Sequence, residues 1–349
     1  MIVSRAPFRV TLGGGGTDLP SYYERHGGFI LAMGIDKYMY VACNPPAVDR
    51  HIRVQYTKGE IVWSLDQLRH DLAREGLRRH GIFSQMEISS IADLRAGTGL
   101  GSSSCYLVAL LAALRAYRQM DTSPRVLAEE ASDIELDVLQ QPIGKQDQYM
   151  AAFGGVTVLE IDRAGAVEVR AARVNRSTLP SFLANTQLYW TGVNRNVPEV
   201  LRDQDSAMRS TGAGHDVVEN ALHGIRDIGY ATLEAFEREN YDELGRLMDQ
   251  HWQHKQRMSP RISLPGIAEL YAEIKKRFGV LGGKVSGAGG GGFFMVYAPK
   301  LHNELDEFMQ RAGLRRMLYG PEFDGAKIVC NSAAPSLGRP DHAPNPHEP

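Results

Sequence analysis

Apolar and polar positions change rhythm several times along this chain. Val3 to Leu12 alternates loosely, as a half-buried strand does, and Phe29 to Cys43 continues in β-rich stretches. Leu65, Leu68, Leu72 and Leu77 fall near helical spacing and predict an amphipathic helix over Asp66 to His80. Ile88 to Leu94 reads as a strand. Ser103 to Arg118 is nearly all apolar at helical length, which predicts a buried helix. Ser123 before Pro124 is a good N-cap, so a second helix is expected from there to Gln140. Strands follow around Gly155–Ile161 and Val167–Val174.

After Asn185 the rhythm changes. Thr186 to Gly192 reads as a strand, and three or four amphipathic helices fill Pro198 to Phe278. Lys284 to Ala298 is strand, glycine loop, strand, and one more helix leads to a final strand at Ala326–Cys330. The expected division is therefore an N-terminal domain over residues 1–183, a C-terminal domain over 184–331 and a tail over 332–349. The tail is rich in Pro, Ala and His, a composition that predicts disorder.

Composition narrows the function. The 349 residues carry 39 Lys plus Arg against 41 Asp plus Glu, a balance that leaves no electrostatic footprint for nucleic acid or an anionic membrane. The longest apolar run, Cys105 to Leu114, is about half of what a bilayer crossing needs. The first residues have no signal-peptide pattern, and three widely spaced cysteines fit neither a disulfide framework nor a zinc site. A cytoplasmic protein is expected. Oligomeric state is left open, a homodimer included.

Glycine is what departs from the ordinary: 36 residues, of which 14 fall in three loops. These are Gly13–Gly16, Gly97–Ser104 and Gly282–Gly292. Glycine lets successive backbone N–H groups turn toward a ligand and form an anion nest. The second loop also opens a helix, whose free N–H groups and dipole favour phosphate. Two common nucleotide motifs are excluded. Gly287 to Gly292 matches G-x-G-x-x-G but runs into the strand-like Phe293-Phe294-Met295-Val296-Tyr297, not a helix. No Gly-Lys-Ser/Thr occurs, and the His-Arg-Asp and Asp-Phe-Gly set of protein kinases is missing.

Phosphoryl transfer needs a phosphate cradle, Mg²⁺ on oxygen ligands, a cation for developing charge and a group facing the acceptor's proton. Ser102, Ser103 and Ser104 sit where a hydroxyl can reach Mg²⁺. Any of Glu129, Glu130, Asp133, Glu135 and Asp137 could supply the carboxylate by spacing alone. Asp147, in a loop with Gln141-Pro142-Ile143-Gly144-Lys145-Gln146, is a candidate base or simply a turn residue, and Lys145 is equally ambiguous. His251 and His254 stand i, i+3 beside Lys255 and Arg257, which reads as a solvated helix face rather than a metal site.

Taken together these segments resemble the GHMP small-molecule kinases. Gly97-Thr98-Gly99-Leu100-Gly101-Ser102-Ser103-Ser104 looks like that family's phosphate loop. Ala6-Pro7-Phe8-Arg9-Val10-Thr11-Leu12 with Thr17-Asp18 resembles its first motif, and Val285 to Gly292 its third. The resemblance spans residues 1 to about 330. It implies an α+β fold of two domains, the first like ribosomal protein S5 domain 2 and the second ferredoxin-like, with ATP and substrate between them. By the same resemblance Gly97, Gly99, Leu100, Gly101, Ser102, Ser103 and Ser104 would cradle ATP, with Gly287, Gly289 and Gly290 on its phosphate side. Ser103, with Ser102 or Ser104, and Glu135 would hold Mg²⁺. Asp147 would be the base or a charge that orients the hydroxyl, Arg9 would lie between nucleophile and γ-phosphate, and Asp18 would accept hydrogen bonds from a sugar.

The substrate expectation comes from the same comparison. Thr17-Asp18 and Gln141 to Asp147 are closer to the galactokinase form than to the mevalonate kinase form. Galactokinases, however, carry Gly-Glu-His before Thr-Asp, where this chain has Gly14-Gly15-Gly16. Small residues leave room for a longer exocyclic arm. Gly13 to Pro20, Gly144 to Tyr149 and Thr191-Gly192-Val193-Asn194-Arg195 are similar to the heptose 7-phosphate kinase branch of the family. That implies a sugar-phosphate substrate phosphorylated at its anomeric hydroxyl, for GDP-heptose and surface glycans, with Gly14, Gly15, Gly16, Thr17 and Arg195 around it. The alternatives are a fucose- or galactose-type anomeric kinase, and a non-catalytic sugar and ATP sensor on the same scaffold.

Overall fold

The structure is a computed structural model that describes residues 1–332 apart from 194–196, 260 and 263–265. Apart from Ser332, the tail expected over 332–349 lies outside the described residues.

Among the described residues the first sheet has eight strands. Its backbone is β1 (Ile2–Gly13) against β2 (Gly28–Asn44), antiparallel along almost the whole of β1. The 17 residues of β2 are long enough to serve two partners on the other side. Its first half pairs β6 (Val156–Ile161), which pairs β7 (Val167–Ala171). Its second half pairs β5 (Met86–Ala92), followed by β3 (Ile52–Gln55) and β4 (Gly59–Val62). Only β3 and β5 run parallel within this sheet.

The second sheet is antiparallel, with β8 (Thr186–Trp190), β9 (Gly282–Val285), β10 (Phe293–Tyr297) and β11 (Arg315–Met317) in the order β11-β8-β10-β9. Numbered within this sheet that is 4-1-3-2, the ferredoxin-like arrangement. The last strand, β12 (Lys327–Asn331), leaves the second sheet and pairs with residues 2–5 of β1. So the sheet that the chain starts is finished by its final strand.

The helices are α1 (Pro20–His26), α2 (Asp71–Arg79), α3 (Ser102–Tyr117), α4 (Pro124–Ser132), α5 (Gln146–Phe153), α6 (Leu179–Asn185), α7 (Val197–Arg209), α8 (Ala213–Glu237), α9 (Tyr241–Met258), α10 (Ile267–Phe278) and α11 (His302–Arg311). The all-apolar helix is α3, whose residues from Ser104 to Leu114 are all buried. Ser123 caps α4 by accepting a hydrogen bond from Val126 N at 3.2 Å.

Three expectations are corrected. Asp66 to His80 is not one helix: a short 3₁₀ turn (Leu65–Gln67) precedes α2, which His70 caps through its ring nitrogen. The helix expected to Gln140 stops at Ser132, and Asp133–Val138 widens into a π-turn. Asp147 lies in the first turn of α5 rather than in a loop.

Candidate active site

A cavity of about 510 Å³ opens between the two sheets, lined from β1, the 13–18 and 97–104 loops, the 141–147 segment, α9 and the 284–288 turn. It collects Arg9, Gly15, Gly16, Asp18, Gly97, Gly99, Gly101, Ser102, Ser103, Ser104, Asp147 and Gly287.

Loop 97–101 delivers α3 to this cavity. Gly101 is the N-cap of α3, and the 16-residue helix ends there with its free N–H groups toward the opening. The loop is held by backbone contact with the 286–292 turn. A Cβ on Gly99 would come within 2.8 Å of the Ser286 carbonyl, and one on Gly287 within 2.7 Å of Gly99 Cα. Each glycine is therefore required by the other loop. Gly289 packs against Ile262, and Gly290 N donates to the Ile262 carbonyl at 2.9 Å.

Arg9 is buried on β1 and its guanidinium is fully engaged on one side. Nε donates to Asp147 Oδ1 at 2.8 Å, Nη2 lies 2.5 Å from the same oxygen as an ion pair, and Nη1 donates to the Gly99 carbonyl at 2.8 Å. The pair thus links the phosphate-type loop to the start of α5, where the helix dipole favours a carboxylate. Gln146 Nε2 donates to the same Oδ1 at 3.1 Å, and the remaining oxygen of Asp147 carries no side-chain partner among these bonds.

Asp18 is held next to it. Its Oδ2 accepts from Gln146 N at 3.0 Å and its Oδ1 from Gly16 N at 3.2 Å. Burial raises its carboxyl above the ordinary value, against the pull of the Gln146 N–H and with the help of nearby Asp147.

Glu135 is the buried acid that the π-turn turns inward. Its Oε2 accepts from Ser104 Oγ at 2.7 Å and from Gln148 Nε2 at 2.6 Å, whereas Oε1 is buried with no partner. Burial pushes its carboxyl up to about 7, although the hydrogen bond from Ser104 opposes this. A buried carboxylate with one orphaned oxygen, beside the exposed Ser103 hydroxyl, is a fitting donor set for a hard cation such as Mg²⁺. A glycine-built helix start faced by cations likewise fits a polyphosphate such as that of ATP.

The cations not found from sequence are Lys255 and Lys284. Lys255 Nζ donates to the Gly287 carbonyl, and Lys284 Nζ to the Leu12 carbonyl at 2.9 Å. Burial, with Arg9 adding repulsion, pulls the Lys255 amine down to about 7. His251, one turn earlier on α9, is buried against the same cavity with Nδ1 unpartnered, which corrects the solvated-face reading of His251. A signal was present: Leu244, Leu247, Met248, His251, Trp252, Lys255 and Met258 form one buried stripe at helical spacing.

Other expected contacts do not reach the cavity. Gly14 lies with its Cα hydrogens against the Phe29 backbone, and Thr17 is buried with its Oγ1 donating to the Gly14 and Phe29 carbonyls. Leu100 is fully buried, and Gly289 and Gly290 face the 259–262 segment. Arg195 lies outside the described residues.

Residues 67–155 match the N-terminal domain of the GHMP kinases, and residues 232–311 match their C-terminal domain. A D-glycero-alpha-D-manno-heptose 7-phosphate kinase of Campylobacter jejuni is 25% identical over 330 residues, covering 89% of this chain and 94% of its own length. The L-fucokinase/L-fucose-1-P guanylyltransferase of Bacteroides fragilis is 25% identical, covering 85% of this chain and 34% of its own length. The crystal structure of a D-glycero-D-manno-heptose 1-phosphate kinase from Bacteroides thetaiotaomicron superposes with a TM-score of 0.76 at 24% identity, covering 95% of this chain and all of its own.

Proposed function

We propose that this chain, a phosphotransferase that belongs to the GHMP kinase family, moves the γ-phosphoryl group of ATP to the anomeric hydroxyl of D-glycero-D-manno-heptose 7-phosphate. The observation that carries the reading is the triad of Arg9, Asp147 and Asp18 at the mouth of the glycine-built helix start, with Gly15 and Gly16 leaving space beside it. Asp18 accepts hydrogen bonds from ring hydroxyls. Asp147 takes or orients the proton of the attacking hydroxyl, and Arg9 faces the negative charge that develops on the transferred group. Gly15, Gly16 and the cation of Arg195 receive the distal phosphate. Glu135 and Ser103 would hold Mg²⁺, which supplies charge neutralisation at the phosphates when bound. The product is the 1,7-bisphosphate, a precursor of nucleotide-activated heptose for surface polysaccharide. This is chemistry of the cytoplasm.

The two heptose kinase relatives are named for substrates that differ in the position of the phosphate, 7 in one and 1 in the other. The decisive experiment measures ADP release over hexoses, fucose, galactose, heptoses and their 1-, 6- and 7-phosphates, with phosphorus NMR locating the new group. New phosphate at C1 of the 7-phosphate supports the proposal. Turnover confined to the 1-phosphate, or only to unphosphorylated sugars, overturns it.

A further inference from the structure

Outside the cavity, α8 carries His215, Glu219 and His223 at successive i, i+4 positions, and the end of α1 brings His26 against them. His26 Nε2 lies 2.8 Å from Glu219 Oε1, and His215 Nε2 lies 3.4 Å from the same oxygen. His26, Glu219 and His223 each offer a ligand atom, all within 4.8 Å of one another, and the His26 and His223 rings sit 4.6 Å apart. A helix-surface ion pair would need one imidazole, but three converge on one carboxylate here.

The outer nitrogens are also engaged. His215 Nδ1 lies 3.1 Å from the Met208 carbonyl, and His223 Nδ1 shares a 2.8 Å hydrogen bond with the hydroxyl of the buried Tyr22. His223 thus has one ring nitrogen held by a protein hydroxyl, leaving Nε2 as its ligand atom, the arrangement in which a metal-binding histidine is fixed by a partner behind it. In a tetrahedral zinc site, with bonds of about 2.0–2.2 Å, neighbouring donor atoms stand roughly 3.3–3.5 Å apart. His26 Nε2 and Glu219 Oε1, 2.8 Å apart as a hydrogen bond, would open by about half an ångström to meet that spacing, and the His223 ligand atom, within 4.8 Å of both, would close on them. Arg226, whose Nη1 donates to the His26 carbonyl at 2.9 Å, is the neighbouring cation that such a site has to tolerate.

We propose that His26, Glu219 and His223 form a zinc site that fastens α1 to α8, with the fourth position left to solvent and His215 behind Glu219. The site is separate from the cavity and does not depend on the reaction proposed above. Because α1 begins directly after Asp18 and Leu19, the ion would brace the loop that carries Asp18.

The test uses full-length, tag-free protein stripped with chelator and titrated with Zn²⁺ by calorimetry, with Co²⁺ absorption as a reporter of tetrahedral geometry. One equivalent bound at micromolar affinity or tighter, a tetrahedral Co²⁺ spectrum and a rise in Tm are expected. Glu219→Gln and His223→Gln weaken binding more than tenfold, and Tyr22→Phe weakens it about tenfold through His223. Circular dichroism and the Tm in chelator show whether each variant is folded, and His26→Gln, at a helix end, gives a second reading if an α8 variant is not. Stoichiometry stays at one in Glu135→Gln. No binding tighter than about 100 μM, or wild-type affinity in folded Glu219→Gln and His26→Gln, overturns the site.

Discussion

Arg9 Nε and Nη2 converge on a single oxygen of Asp147, so β1 and the first turn of α5 meet at one point in the cavity. An arginine spent on that oxygen leaves the other face of the carboxylate for a substrate hydroxyl. Asp147→Asn keeps the shape and removes the charge. It should lower kcat by about 10²- to 10⁴-fold with the KM for ATP changed less than threefold. Steady-state ADP release measures both, and a loss appearing only in KM would remove Asp147 from the chemistry.

Glu135 gives a pH signature of stability. Its carboxyl titrates near 7 in the fold and near 4.5 as a free group, so between those values the folded state holds more protons than the unfolded one. Stability therefore falls as pH rises from about 4.5 to 7, by roughly 3 kcal/mol for this group alone. Urea denaturation of wild type and Glu135→Gln in chelator, at pH 5 and 7.5, should show that fall in the wild type and lack it in the variant. Catalysis in Glu135→Gln should require far more Mg²⁺.

Lys255 has the opposite sign. An amine brought from 10.5 to about 7 holds fewer protons folded than unfolded across that window, so its contribution to stability improves as pH rises from 7 to 10.5. Lys255→Met should flatten the rise. Urea midpoints of both proteins at pH 7 and 9 check it, and parallel slopes would refute it.

Neighbouring glycines of the first loop should behave differently. A Cβ on Gly14 would stand 1.8 Å from the Phe29 carbonyl, whereas one on Gly15 meets only a Thr11 methyl at 3.3 Å. Gly14→Ala should destabilise by more than 3 kcal/mol, as a strained substitution against backbone. Gly15→Ala should leave Tm within about 3 °C and raise the KM for the phosphorylated sugar.

Arg195→Ala should raise the KM for the 7-phosphate at least tenfold, about 1.4 kcal/mol, and leave turnover of an unphosphorylated analogue unchanged. Equal effects on both substrates would take the distal phosphate away from this residue.

The parts of the site that sequence made legible are those written locally. Gly97 to Ser104 announces itself because a glycine run meets an apolar helix, Asp147 because it follows a polar Gly- and Pro-containing segment at the start of α5, and Asp18 through the likeness of Thr17-Asp18 to the family's first motif. What was hidden depends on pairing or register. The π-turn at Asp133–Val138 is a shift in hydrogen-bond register that no residue type advertises. Lys255 and His251 extend an apolar stripe with polar side chains, so their charge masked their burial. The glycines of the 287–292 turn were read as ligand-facing, yet Gly287 is required by close approach to Gly99 and Gly292 by the Thr98 carbonyl. Sequence shows that a backbone must pass close to something, but not to what.

The return of β12 to β1 bears on the order in which the protein can be made. Residues 2–5 leave the ribosome about 320 residues ahead of their pairing partners, residues 327–331. At about 5–20 residues per second this strand edge waits roughly 15–65 s for its neighbour. An open edge of that kind invites pairing with another chain. The first sheet is therefore incomplete until residues 327–331 emerge, and a chaperone or a translation pause shortly before them would act on this edge.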